Sequence, residues 1–163
     1  PEMFRYTCPE RIVTGLSATL QQLCHTFVQG KPFDIFLENL EDAEFRAMLQ
    51  DFLSLRRAFP EYFLRGVFRD CVGIETTGGV RAFRLDRRDG RGSLVNFWLP
   101  GAHRQHPCQT WMRNPRPEMA LQPVFPADLR INGGGEWLEL SWRGPVATVI
   151  LPLAGPDPAK IAE

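Results

Sequence analysis

Apolar residues recur at helical spacing through the first 70 residues and at alternate positions after that. Ile12, Leu16, Leu20, Leu23 and Phe27 fall on one face of a helix. Thr7 followed by Glu10 fits a capping box, with Pro9 in the first turn, and Gly30 and Pro32 stop the run. The stretch KPFDIFLENL puts Phe33, Phe36, Leu37 and Leu40 on one side of a short element. A longer helix is predicted from about Glu41 to Ala58, with Phe45, Met48, Leu49, Phe52 and Leu55 as its buried stripe. Pro60 opens a further turn or two, and Tyr62, Phe63 and Val67 are core candidates.

The second half reads as strands. VRAFRL (80–85) and SLVNFWL (93–99) flank RRDGRG, whose Asp89-Gly90 is a hairpin signal because both residues tolerate positive φ. Four prolines between Gln109 and Asp128 predict a long loop with at most one short strand. LRI (129–131) and EWLELSW (136–142) flank the turn NGGG, and Leu138, Leu140 and Trp142 alternate with polar residues. VATVILPL (146–153) is apolar on both faces, as a central strand would be.

Together these predict an α+β fold, with N-terminal helices (about 9–68) packed on a C-terminal antiparallel β-meander (about 72–153). One domain over residues 3–155 and a flexible tail over 156–163 suit the 163-residue length. No run of 18 apolar residues exists, and the first residues lack the apolar core of a signal peptide, so a cytoplasmic protein without a membrane partner is expected. Cys8, Cys24, Cys71 and Cys108 lie far apart with no C-x-x-C, as free thiols in a reducing compartment would. Arginine outnumbers lysine seventeen to two, which a GC-rich, bacterial coding sequence explains simply.

Charge changes this picture. Formal net charge is zero, yet residues 81–116 hold eight arginines against Asp86 and Asp89, and the segments on either side are net acidic. Arg84, Arg87, Arg88 and Arg91 cluster about the hairpin tip. Arg81 lies further down the strand and, in the register a two-residue turn sets, stands opposite Trp98. Guanidinium forks suit phosphate and carboxylate groups, so the hairpin is a candidate site for an anionic ligand such as a nucleotide, or for an acidic protein partner. Trp98 or Trp111 would be its apolar anchor. The plain alternative is a solvated tip whose charges keep an edge from pairing with another sheet. Zero net charge argues against broad nucleic-acid binding, and a homodimer is compatible with the composition. The run RLDRR has the R-x-x-x-R spacing of PilZ cyclic-dinucleotide domains but not their following D/N-x-S-x-x-G, so it assigns no family.

Two other chemistries compete. His103, His106 and Cys108 in HRQHPC offer three zinc ligands from one loop, though H-x-x-H-x-C is not a usual ligand spacing and a fourth ligand must come from elsewhere. No G-x-S-x-G, S-x-x-K, H-E-x-x-H, P-loop or G-x-G-x-x-G is present, and the glycines of ETTGGV and NGGGEW read as turns. An enzyme would need a scattered site, for which Asp70, Glu75 and His25 are the available residues. The reading that fits best is a non-enzymatic binding or regulatory domain, adaptor- or sensor-like, with no cofactor unless zinc occupies HRQHPC.

Overall fold

A computed structural model describes residues 14–152. The fold is α+β, with helices before an antiparallel β region. The capping box at Thr7–Glu10, Ile12 and the 156–163 tail lie outside the described residues.

The first helix, α1 (Leu20–Val28), begins later than the apolar spacing implies. Thr19 caps it, its hydroxyl accepting from Gln22 N at 3.2 Å. Gly30, at φ +63°, ends it. Leu16, expected on its buried stripe, sits instead on β1 (Gly15–Leu16), which pairs in parallel with β2 (Phe33–Asp34). Gly15 is pressed against Thr26, where an added Cβ would come within 2.4 Å of the hydroxyl, so the chain entering α1 is fixed as an extended segment. In KPFDIFLENL the expected single apolar face is also corrected. Phe33 and Leu40 pack on the core, but Phe36 and Leu37 point outward, Leu37 being 81% exposed, because β2 gives way to a 3-10 turn (Leu37–Glu41).

Helix α2 (Ala43–Ala58) matches its predicted stripe, with Phe45, Met48, Leu49 and Phe52 buried. Asp42 caps it, accepting from Glu44 N at 2.8 Å and Phe45 N at 3.1 Å. The short α3 (Pro60–Phe63) follows with proline in its first turn.

The strands after α3 form two sheets rather than one meander. The larger has the order β3 (Val67–Asp70), β4 (Arg81–Asp86), β5 (Gly92–Trp98), β10 (Val146–Pro152), β7 (Gln122–Phe125). The smaller has the order β6 (Pro107–Arg113), β9 (Trp137–Arg143), β8 (Arg130–Asn132). The meander is broken because β5 takes β10 as its second neighbour while the intervening chain builds the smaller sheet. Strand β6 replaces the loop expected from Gln109. Its inward Cys108, Thr110 and Met112 alternate with outward Gln109, Trp111 and Arg113, and Pro107 occupies its first position, where a strand tolerates proline. Residues 75–77 pair with the free side of β6, through Thr77 N to Trp111 O at 3.1 Å and Arg113 N to Glu75 O at 3.0 Å, and so join the two sheets.

The result is three layers and two cores. One face of the larger sheet packs on the helices through Phe83, Leu85, Leu94 and Val146 against Leu23, Phe27, Phe45 and Phe52. The other face packs on the smaller sheet through Val95, Phe97 and Val149 against Met112, Leu140 and Trp142. All seven residues of β5 are buried because it is covered on both faces, and β10, expected to be central, is largely buried for the same reason; Leu153 lies outside the described residues.

Candidate functional site at an arginine-rich hairpin

The hairpin register is the one the Asp89-Gly90 turn predicts, with Asp86 opposite Ser93 and Arg81 opposite Trp98. Gly90, at φ +71°, donates its N–H to Arg87 O at 3.1 Å, and Arg87 N closes on Gly92 O at 2.9 Å.

Arg84 is fixed inside the hairpin. Its Nε and Nη2 reach both oxygens of Asp86, at 2.6 and 3.1 Å, and Nη1 reaches Val72 O at 3.3 Å. Ser93 donates to Asp86 at 2.6 Å, and Arg69 of β3 adds a contact at 3.3 Å. Asp86 therefore gathers Arg69 and Arg84 into one network, and most of Arg84's donors are already used. Arg87 forms a fork with Asp89, at 3.0 and 2.5 Å, while Asp89 also accepts from Arg91 N at 3.0 Å. Those hydrogen bonds, from Arg87 first, hold the Asp89 carboxyl below its ordinary range.

Tyr62 approaches the tip from α3. Gly92 makes the room, since a Cβ there would lie 2.7 Å from the Tyr62 hydroxyl. Burial raises the phenol above its ordinary pKa, and the neighbouring Arg87 opposes that rise. Arg88 and Arg91 are exposed, and their side chains make no hydrogen bond or ion pair among the described residues.

An open groove of about 480 Å³ lies at this tip, lined by Val67, Arg69, Asp86, Arg87, Arg88 and Gly90. Arg69 and Tyr62 escape a reading of the sequence because they approach from β3 and α3. No spacing within 81–99 points to them. Of the expected residues, Arg84, Arg87, Arg88 and Arg91 come together here. The other three do not. Arg81 lies at the base of β4, its guanidinium carbon 5.8 Å from the Trp98 ring centroid. Trp98 is 8% exposed beneath α1, with His25 stacked on it at 4.6 Å, so it belongs to the core on the helix side of the sheet. Trp111 is exposed but belongs to the smaller sheet, beside Thr77. It sits toward the base of β4, a six-residue strand about 16 Å long, and the arginine tip is at the far end.

The HRQHPC segment is divided between a turn and a strand. His103 and His106 are exposed on the turn, their rings perpendicular at 5.5 Å. Cys108 points into the core, donates to Gly144 O at 3.1 Å, and has its thiol pushed up to about 11 by burial. Arg104 pins the turn to α2, its N–H donating to Glu44 at 2.7 Å and Nη2 meeting Asp51 at 3.1 Å. Among the described residues no group of three His, Cys, Asp or Glu side chains is gathered for a metal ion. His25, Asp70 and Glu75 lie on α1, at the end of β3 and in the 75–77 segment; Glu75 pairs with Arg113 at 3.4 Å.

The chain matches no protein-family model, and no curated protein matches its sequence significantly.

Proposed function

We propose that this protein is a non-enzymatic binding domain, adaptor- or sensor-like, that captures an anionic ligand or an acidic protein partner at the β4–β5 tip. The observation that carries this reading is the groove lined by Arg69, Arg87 and Arg88, whose one lining carboxylate, Asp86, is already engaged by Arg84 and Arg69. Five arginines, counting Arg84 and Arg91, outnumber the carboxylates of Asp70, Asp86, Asp89 and Glu61 about the tip, leaving it net positive. Arg69 and Arg87, held by Asp86 and Asp89, keep N–H donors to spare, and Arg88 and Arg91 offer theirs unengaged to phosphate or carboxylate oxygens. The free thiols Cys24, Cys71 and Cys108 suit a reducing compartment such as the cytoplasm.

The test is titration of the full chain with pyrophosphate, ATP and a polyglutamate peptide at low salt. Saturable binding that weakens as salt rises, and that is lost in Arg87→Glu/Arg88→Glu with an unchanged circular dichroism spectrum, is the expected result. Binding that survives this charge reversal, or no binding of any of the three probes, overturns the proposal.

A further inference from the structure

The outer face of the smaller sheet is a second surface, independent of the arginine tip. Trp111 and Trp137 stand on it, 46% and 40% exposed. Trp111 pairs with Glu139 and Arg113 with Trp137, so the two indoles are diagonal neighbours on one face. The next pair along the strands is Gln109 and Ser141, and an open groove of about 500 Å³ runs past them. Asn132 enters the same face from β8, opposite Glu139.

Two features of this face select a ligand. Its central charges are used up internally. Arg113 lies between Glu136, at 2.8 Å, and Glu75, at 3.4 Å, while Glu139 accepts from Asn132 at 3.3 Å and from Gln109. The face is also aromatic without being aliphatic. No Leu, Ile, Val, Met or Phe occupies an outward position on β6, β8's ends or β9. The buried core of a protein–protein interface is roughly two-thirds apolar, more than two indoles set among polar side chains supply. Indoles set among amides, a hydroxyl and a held carboxylate instead offer flat apolar plates beside groups that donate and accept hydrogen bonds.

We infer that this face binds an uncharged oligosaccharide. A sugar ring has one flat C–H face that lies against an indole and a rim of hydroxyls that both donate and accept. Gln109, Asn132, Ser141 and Glu139 match that rim, and Arg130 and Arg143 at the far end of the face add donors. The side chains stand on paired strands, so little conformational freedom is lost when a ligand settles.

The experiment titrates the full chain with uncharged hexasaccharides of glucose, xylose and N-acetylglucosamine, read by tryptophan fluorescence and calorimetry. Trp98 and Trp142 are buried, so a spectral shift reports on Trp111 and Trp137. Saturable binding to at least one hexasaccharide is expected, weakened about tenfold by Trp111→Ala and again by Trp137→Ala. Both variants should keep the wild-type melting temperature, and Arg87→Glu/Arg88→Glu should bind the saccharide unchanged. No binding at millimolar saccharide overturns the inference, as does binding that survives the double tryptophan variant. Tighter capture of a short oligothymidylate, lost in the same variants, overturns it too and gives the face to single-stranded nucleic acid.

Discussion

Arg81 stands directly opposite Trp98 across β4 and β5, and the indole lies under its guanidinium while His25 stacks on the ring from α1. The hairpin's basic base is thereby tied to the helical layer through one buried side chain. Replacing Trp98 with alanine should cost about 3–5 kcal/mol, the range for emptying a large aromatic site. Arg81→Ala, which removes an exposed cation from the ring, should cost only about 0.5–1 kcal/mol. Urea denaturation of both variants separates the contributions. Equal losses would show that the guanidinium, and not packing, holds the junction.

The arginines of the hairpin divide into structural and available ones. Asp86 holds Arg84, Ser93 and Arg69 together while largely covered. Asp86→Ala should therefore destabilise the protein by about 1.5–3 kcal/mol, as removal of charge-assisted hydrogen bonds does. Arg88→Ala and Arg91→Ala should stay within about 0.5 kcal/mol, since neither side chain holds another residue. The same two variants should weaken binding of pyrophosphate, so stability and capture part company at this site. Thermal melts and titrations on the three variants check it.

Much of this arrangement can be read in the sequence. Asp89-Gly90 set the β4–β5 register, and with it the pairing of Arg81 with Trp98. The stripe from Phe45 to Phe52 marked α2 because one helix face alone meets the core. What could not be read depends on contacts distant in sequence. Leu16 fits a helical stripe, but pairing with Phe33–Asp34 and the contact of Gly15 with Thr26 draw it into a strand. Strand β6 shows clean alternation from Cys108 to Arg113, yet the prolines that follow obscured it. Trp98 reads as an anchor for the hairpin because sequence does not say which sheet face a helix covers, and Trp111 because sequence does not say which sheet its strand joins. Arg69 joins the tip only because β3 pairs with β4.

The cysteines should separate sharply in reactivity. Cys71 is exposed, whereas Cys24 is buried with its thiol raised to about 12, by desolvation first and Glu44 second, and Cys108 to about 11 by desolvation. Iodoacetamide at neutral pH, followed by peptide mass mapping, should label Cys71 and leave Cys24 and Cys108 intact until the protein unfolds. The raised values also set a pH dependence. The folded state keeps these protons where the unfolded chain releases them near 9, so the contribution is complete below about pH 9. It is lost as pH climbs through 11 to 12. Urea midpoints measured from neutral pH upward should fall in that window, and Cys24→Ala/Cys108→Ala should flatten the fall.

A buried polar chain joins the helical layer to the middle of the larger sheet. Asn96 Nδ2 donates to Val28 O, at the end of α1, at 3.1 Å, and Thr148 donates its hydroxyl to Asn96 Oδ1 at 2.8 Å. Asn96 and Thr148 face each other on β5 and β10 and are fully buried. Asn96→Leu should be costly, about 1–3 kcal/mol, because it leaves both the Val28 carbonyl and the Thr148 hydroxyl without a partner in a dry core. Thr148→Val removes the second orphan along with its hydroxyl. The double variant Asn96→Leu/Thr148→Val should then be less destabilised than the sum of the single ones, by about 0.5–3 kcal/mol for residues in direct contact. Simple additivity in a double-mutant cycle would mean that the hydroxyl and the amide act separately, and that the link from α1 to the sheet rests on the apolar contacts of Phe27 and Leu94 instead.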